Sequence, residues 1–168
     1  MKPSILHRFA TVALASTLIG ASRAADAPSA NDALANAAAT VFGKQKGQSF
    51  DASAVKGAAA APRTESITLT LAPGKGAELK ALIDKGQGFV FHWSASAEVA
   101  VDMHGEREGA KDEYTSYAIH AAQRDASGSF TAGFDGLHGW FWHNRGKHPV
   151  NLRLTVTGFQ KKLVRPEH

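Results

Sequence analysis

Val150-Asn151-Leu152-Arg153-Leu154-Thr155-Val156 carries an apolar side chain at every second position and a polar one between. Successive side chains of a strand point to opposite faces, so this spacing predicts a half-buried β-strand rather than a helix. The same alternation runs through Ile67 to Leu71, Phe89 to Trp93 and Val99 to Met103. Tyr114 to His120, Ser129 to Phe134 and His138 to Asn144 are rich in aromatic and β-branched residues and read as further strands. Turn residues separate these runs at Pro73-Gly74, Lys85-Gly86, Asp125 to Gly128, Asp135-Gly136 and Arg145-Gly146. Ala77 to Asp84 fits both a helical stripe (Leu79, Leu82, Ile83) and a strand (Leu79, Ala81, Ile83). A strand is the expectation there, because the neighbouring strands leave sheet edges to cover. Asp-Gly suits a tight turn with positive φ, so Ser129–Phe134 and His138–Asn144 are expected to pair as a hairpin. Seven or eight strands over residues 64–160, with no internal repeat, predict an all-β fold, an antiparallel β-sandwich.

The chain has 168 residues, 19 Lys plus Arg, 15 Asp plus Glu, eight His and no Cys. Absence of Cys excludes disulfides, thiolate metal sites and cysteine nucleophiles. Residues 1–24 read as a cleavable signal peptide: Lys2 and Arg8 precede the apolar run Phe9 to Ala21, and Ser22 and Ala24 stand at −3 and −1. The apolar run is shorter than a membrane span needs. Removing Lys2, Arg8 and Arg23 leaves 16 basic against 15 acidic side chains. The formal +4 of the whole chain therefore falls to +1, which excludes a polyanion-binding balance and any expectation of nucleic acid. Export without cysteine points to the periplasm. From 25 to 63 the composition is Ala-rich and reads as a flexible tether; Asn31 to Phe42 fits a short helix capped by Asn31 or Asp32. Residues 161–168 read as a basic C-terminal tail.

The densest chemistry lies in Asp135-Gly-Leu-His-Gly-Trp-Phe-Trp-His-Asn-Arg145. On a strand, His138, Trp140, Trp142 and Asn144 share one face, and Phe141 and His143 the other. The tryptophan pair fills a sandwich core or lines a pocket mouth for a lipid, peptide or small ligand. Metal binding rests on histidine alone. His104, His120, His138 and His143 are the candidate ligands for Cu, Zn or Ni, and a site requires assembly across strands, for example His104 and His120 with Asp102 or Glu106. No nucleophile elbow, phosphate-cradling glycine loop or dinucleotide fingerprint is present. No cofactor and no enzymatic activity are expected.

Gly128-Ser-Phe-Thr-Ala-Gly-Phe-Asp-Gly-Leu-His-Gly-Trp-Phe-Trp-His-Asn-Arg145 and Pro149 to Gly158 resemble the last hairpins of GOLD-type β-sandwiches. Leu71 to Ala81, Phe91-His92-Trp93, Asp102-Met103-His104 and Asp135 to Arg145 are similar to motifs of a group of bacterial envelope proteins called transmembrane anchor proteins, over about residues 65–160. That resemblance implies a GOLD-like or jelly-roll-like, non-catalytic sandwich that binds an envelope protein, a peptide or a lipid. It marks Asp135, His138, Trp140, Trp142, Asn144 and Arg145 as the signature, a ligand site or a structural corner. Those proteins begin with a longer membrane-spanning segment. The short signal here implies a soluble periplasmic form with no membrane span after cleavage. A periplasmic protein binding Cu, Zn or Ni is the alternative.

Overall fold

A computed structural model describes residues 27–110 and 113–166, in two compact units divided after Ala54; the signal-peptide reading falls outside the described residues. In the first unit, a helix α1 (Ala30–Phe42) starts at Ser29. The Ser29 hydroxyl accepts a hydrogen bond from the Asp32 amide, and the Asp32 carboxylate accepts one from the Ser29 amide. This reciprocal capping box places the cap two or three residues earlier than Asn31 or Asp32. Asn31 instead accepts a bond from the Ala52 amide. The helix buries no residue, so its alanine content and its cap carry it. A stretch expected to be a flexible tether thus contains a defined helix.

Among the described residues, the second unit holds seven strands: β1 (Arg63–Leu71), β2 (Gly76–Ile83), β3 (Gly88–Arg107), β4 (Thr115–Thr131), β5 (Gly136–His143), β6 (Val150–Gly158) and β7 (Lys162–Val164). Every pairing is antiparallel, in the order β1-β6-β3-β5-β2-β7, with β4 along β3. β3 makes the sandwich. Its first half, Phe89 to Ala95, pairs with β6, and its second half, Ala100 to Arg107, pairs with β5. Between the halves the ladder to β4 is interrupted from Ser94 to Val99, an irregularity that bends the strand and turns one sheet into two facing leaves. Rings from the two leaves meet: Phe91 and Trp140 lie 4.8 Å apart and Trp93 and Trp142 5.8 Å apart. Around them pack Leu69 and Leu71, the four alternating apolar residues of β6, and Ala77, Leu79, Ala81 and Ile83 of β2.

The strand reading of Ala77–Asp84 agrees with β2. Three expectations need correction. Asp125 to Gly128 is not a turn; it continues β4, with Gly128 opposite Phe91 and Asp125 opposite Ser94. Gly128 serves there by having no side chain, since a Cβ would press on the Phe91 ring at 3.0 Å, and Ser127 bonds the His92 ring. Nor does Asp135-Gly136 close a hairpin: β4 pairs with β3, whereas β5 lies between β3 and β2. The connection crosses between leaves and is tied to the β2–β3 turn instead. Ala132 exchanges backbone hydrogen bonds with Gly86 and Gln87, and Asp135 accepts one from the Lys85 amide. Finally, Lys162–Val164 is not tail but β7, which pairs with β2.

Candidate functional site

The core face of β2 takes Ala77, Leu79, Ala81 and Ile83, so period two sends Glu78 and Lys80 to the opposite face. Val101 and Met103 send Asp102, His104 and Glu106 the same way, and Trp140 and Trp142 do so for Gly139. Gly139 on β5 is paired with Lys80 on one side and His104 on the other. It contributes no side chain, so the ionisable groups of β2 and β3 meet across it. A Cβ on Gly139 would overlap the Leu79 carbonyl oxygen and crowd the Lys80 Cα.

The resulting cluster is compact. Lys80 Nζ donates to Glu106 Oε1 at 2.9 Å and to Glu78 Oε1 at 3.0 Å. His104 Nε2 lies 2.8 Å from Glu78 Oε1 and 3.5 Å from Glu106 Oε1. His104 Nδ1 lies 3.3 Å from the Asp102 carbonyl oxygen, and Ser116 donates to the Asp102 carboxylate. The Tyr114 and His104 rings meet in a T-shaped contact, centroids 5.2 Å apart. Lys80 is fully buried and Glu78 nearly so, while the Glu106 side chain is 39% exposed and forms the open corner. Burial by itself pushes the Glu78 carboxyl up, but the hydrogen bonds from His104 and Lys80 outweigh it and hold the group down at about 2. Burial pulls His104 down and the Lys80 charge adds to this, yet the bond to Glu78 prevails and raises it.

Two carboxylates and one imidazole, with donor atoms all within 4.8 Å of one another, form a set that suits a divalent cation. Lys80 already supplies a cation to both carboxylates. Any metal ion must compete with it.

The sequence-based candidates are dispersed. His104 is in the cluster, but His120 stands opposite Val101 and therefore on the other face of β3. His138 points inward, fully buried, its Nδ1 bonded to the Tyr117 hydroxyl and its Nε2 to the Phe134 carbonyl. Because a carbonyl only accepts, Nε2 carries the proton and Nδ1 accepts from Tyr117; burial lowers this histidine. His143 bonds the Gly74 carbonyl. The four histidines therefore do not form one metal site. The six signature residues do not line one ligand site either. Trp140, Trp142, His138 and Asn144 are buried. Trp140 borders a void of about 60 Å³, room for water rather than a ligand. Asp135 and Arg145 are exposed, but the eight residues of β5 put roughly 25 Å of strand between them.

Glu78 and Lys80 were not among the sequence candidates. A signal was present: Glu78 and Lys80, and Asp102, His104 and Glu106, are ionisable residues spaced by two within strands. Charge repeated on one face of a strand whose other face is apolar marks that face as a site to examine.

No protein-family model matches the chain, and none of the curated proteins matches it. Solved structures similar to it include a Yersinia pseudotuberculosis-derived mitogen, at 12% identity over 61% of this chain and 90% of that one, TM-score 0.42. An oxalate oxidase in complex with the substrate analogue glycolate is similar at 15% identity over 60% of this chain and 45% of that one, TM-score 0.35. A CBM4 structure is similar at 18% identity over 60% and 84%, TM-score 0.32. Such distant likenesses carry no argument about function.

Proposed function

We propose that the chain is an exported, non-catalytic envelope module that docks an extended segment of a protein partner on the free edge of β4. One observation carries this reading. The 17 residues of β4 pair only with β3 among the described strands, so one edge presents unpaired backbone donors and acceptors in stretches between its ladder irregularities. Free edges are normally blunted by lysine, proline or short length. β4 is long, contains neither residue, and displays Ile119, 69% exposed, together with Tyr117. Such an edge suits strand addition, in which backbone bonds give affinity and alternate side chains give specificity. Of the three partner classes expected from sequence, it favours protein or peptide over lipid. Periplasmic location and kinship with the transmembrane anchor group belong to the same proposal and rest on the sequence motifs.

The test is a photo-crosslinker at position 119, followed by amide hydrogen exchange of the protein with and without the purified adduct partner. The reading expects protection of β4 amides on binding of that partner and loss of this protection in Ile119→Lys. An unchanged exchange pattern in β4 would refute it.

A metal-binding role is the second reading, favoured by the Glu78, His104 and Glu106 donor set. Calorimetry with Cu(II), Zn(II) and Ni(II) on the protein and on Lys80→Met decides it. Flat traces for both proteins end it.

A further inference from the structure

We propose that a cleft at the bend of β3 and β4 is a binding site for an oxyanion, a phosphoryl or carboxylate group, held by Arg124 and Arg145. The cleft measures about 620 Å³ and is lined by Ser96 and Glu98 of the β3 bend, Ala121 and Ala122 of β4, and the two arginines. It shares no residue with the Gly139 cluster, and although Ala121, Ala122 and Arg124 belong to β4, it does not depend on strand docking.

The turn that bears Arg145 and the Arg124 guanidinium itself are each held in place. Asn144 is completely buried and locks the turn that bears Arg145: its Nδ2 donates to the carbonyls of Leu71 and His148, and its Oδ1 accepts from the Gly146 amide. Its backbone adds bonds to Gly74 and Lys75. Arg124 Nη2 donates to the Ser96 carbonyl at 2.9 Å, which aligns the guanidinium across the bend and leaves its other donors to the cleft. The Ser96 hydroxyl accepts from the Asn151 amide, so its own proton is available to a ligand oxygen. The small side chains of Ala121 and Ala122 keep the floor low.

Arginine recognises phosphate and carboxylate through a planar fork of donors, and a fork held in place before binding loses less entropy on binding. Arg124 is such a fork, Arg145 adds a second guanidinium from a fixed turn, and two arginines against one carboxylate, Glu98, leave the cleft net positive. Glu98 fits a ligand that carries a hydroxyl or ammonium donor beside its anionic group. The Asn144-Arg145 pair thus divides its work: the asparagine builds the corner, and the arginine faces the ligand.

The experiment is a ¹⁵N–¹H NMR titration of the purified protein with inorganic phosphate and, separately, with citrate, against sodium chloride at matched ionic strength. The expected result is a saturable shift of the amides of Ser96, Arg124, Arg145 and Gly146 with one or both oxyanions. Saturation by phosphate alone assigns a phosphoryl ligand, and by citrate alone a carboxylate. Arg145→Ala should weaken binding about tenfold, the scale of one charged hydrogen-bond contact. Glu98→Gln should tighten it, because a like charge is removed. The proposal is overturned if the shifts are linear and reproduced by chloride. Saturable binding that is indifferent to both Arg145→Ala and Glu98→Gln overturns it equally.

Discussion

Glu78→Gln keeps the shape of the side chain and removes its charge from the buried ion cluster that it forms with Lys80 and His104. Glu78 is held at about 2 against an ordinary 4.5. At 1.36 kcal/mol per pK unit, that displacement corresponds to about 3 kcal/mol of folding stability. The value agrees with the cost of breaking a buried pair by removing one partner. Its pH dependence follows from the direction of the shift. A carboxyl whose folded pKa is lowered stabilises fully above its unfolded value, here 4.5, and the contribution disappears as pH falls towards 2. Urea denaturation followed by fluorescence of the buried Trp93, Trp140 and Trp142 should place the variant about 3 kcal/mol below the parent near neutral pH. The two curves should converge in acid. A gap that persists unchanged below pH 3, or one under about 0.5 kcal/mol at neutrality, would refute the assignment of Glu78 as the anchor of Lys80 and His104.

His104 and His138 should titrate in opposite directions from free histidine, His104 above and His138 below, by NMR of the ring protons. Stability owed to His104 should be complete below pH 6.5 and fade as pH rises through its raised folded value; matching titrations for the two rings would contradict the geometry. Gly139→Ala should cost about 3 kcal/mol or more, since its Cβ meets strand backbone rather than a movable side chain, and a near-neutral result in thermal unfolding would show that β5 can shift. Asn144→Ala strips the Leu71 and His148 carbonyls of their donor and should cost about 2 kcal/mol, with faster amide exchange confined to residues 144–148. Unchanged exchange there would mean that the backbone alone holds the corner.

Some of this protein is written locally in the chain. Alternation assigned β1 and β6 and separated His138, Trp140, Trp142 and Asn144 from Phe141 and His143, because side-chain direction in a strand repeats every two residues whatever the partner. β2 fitted a helix as well and was assigned only by the need to cover sheet edges. The Asn144 corner was legible as turn chemistry, because Asn and Gly favour turns through local backbone preferences. Pairing was not legible. Asp125 to Gly128 and Asp135-Gly136 carry turn residues, yet the first lies within a strand and the second spans two leaves. Propensity is worth about 1 kcal/mol or less per residue, and packing of distant strands overrides it. The Glu78–Lys80–His104–Glu106 cluster depends on three strands meeting at Gly139, with Lys80 and His104 separated by 24 positions in the chain. Each half is visible as charge repeated on a strand face. That the halves touch is decided by tertiary register, since only the insertion of β5 between β2 and β3, with glycine at the point of crossing, brings their side chains within hydrogen-bonding distance.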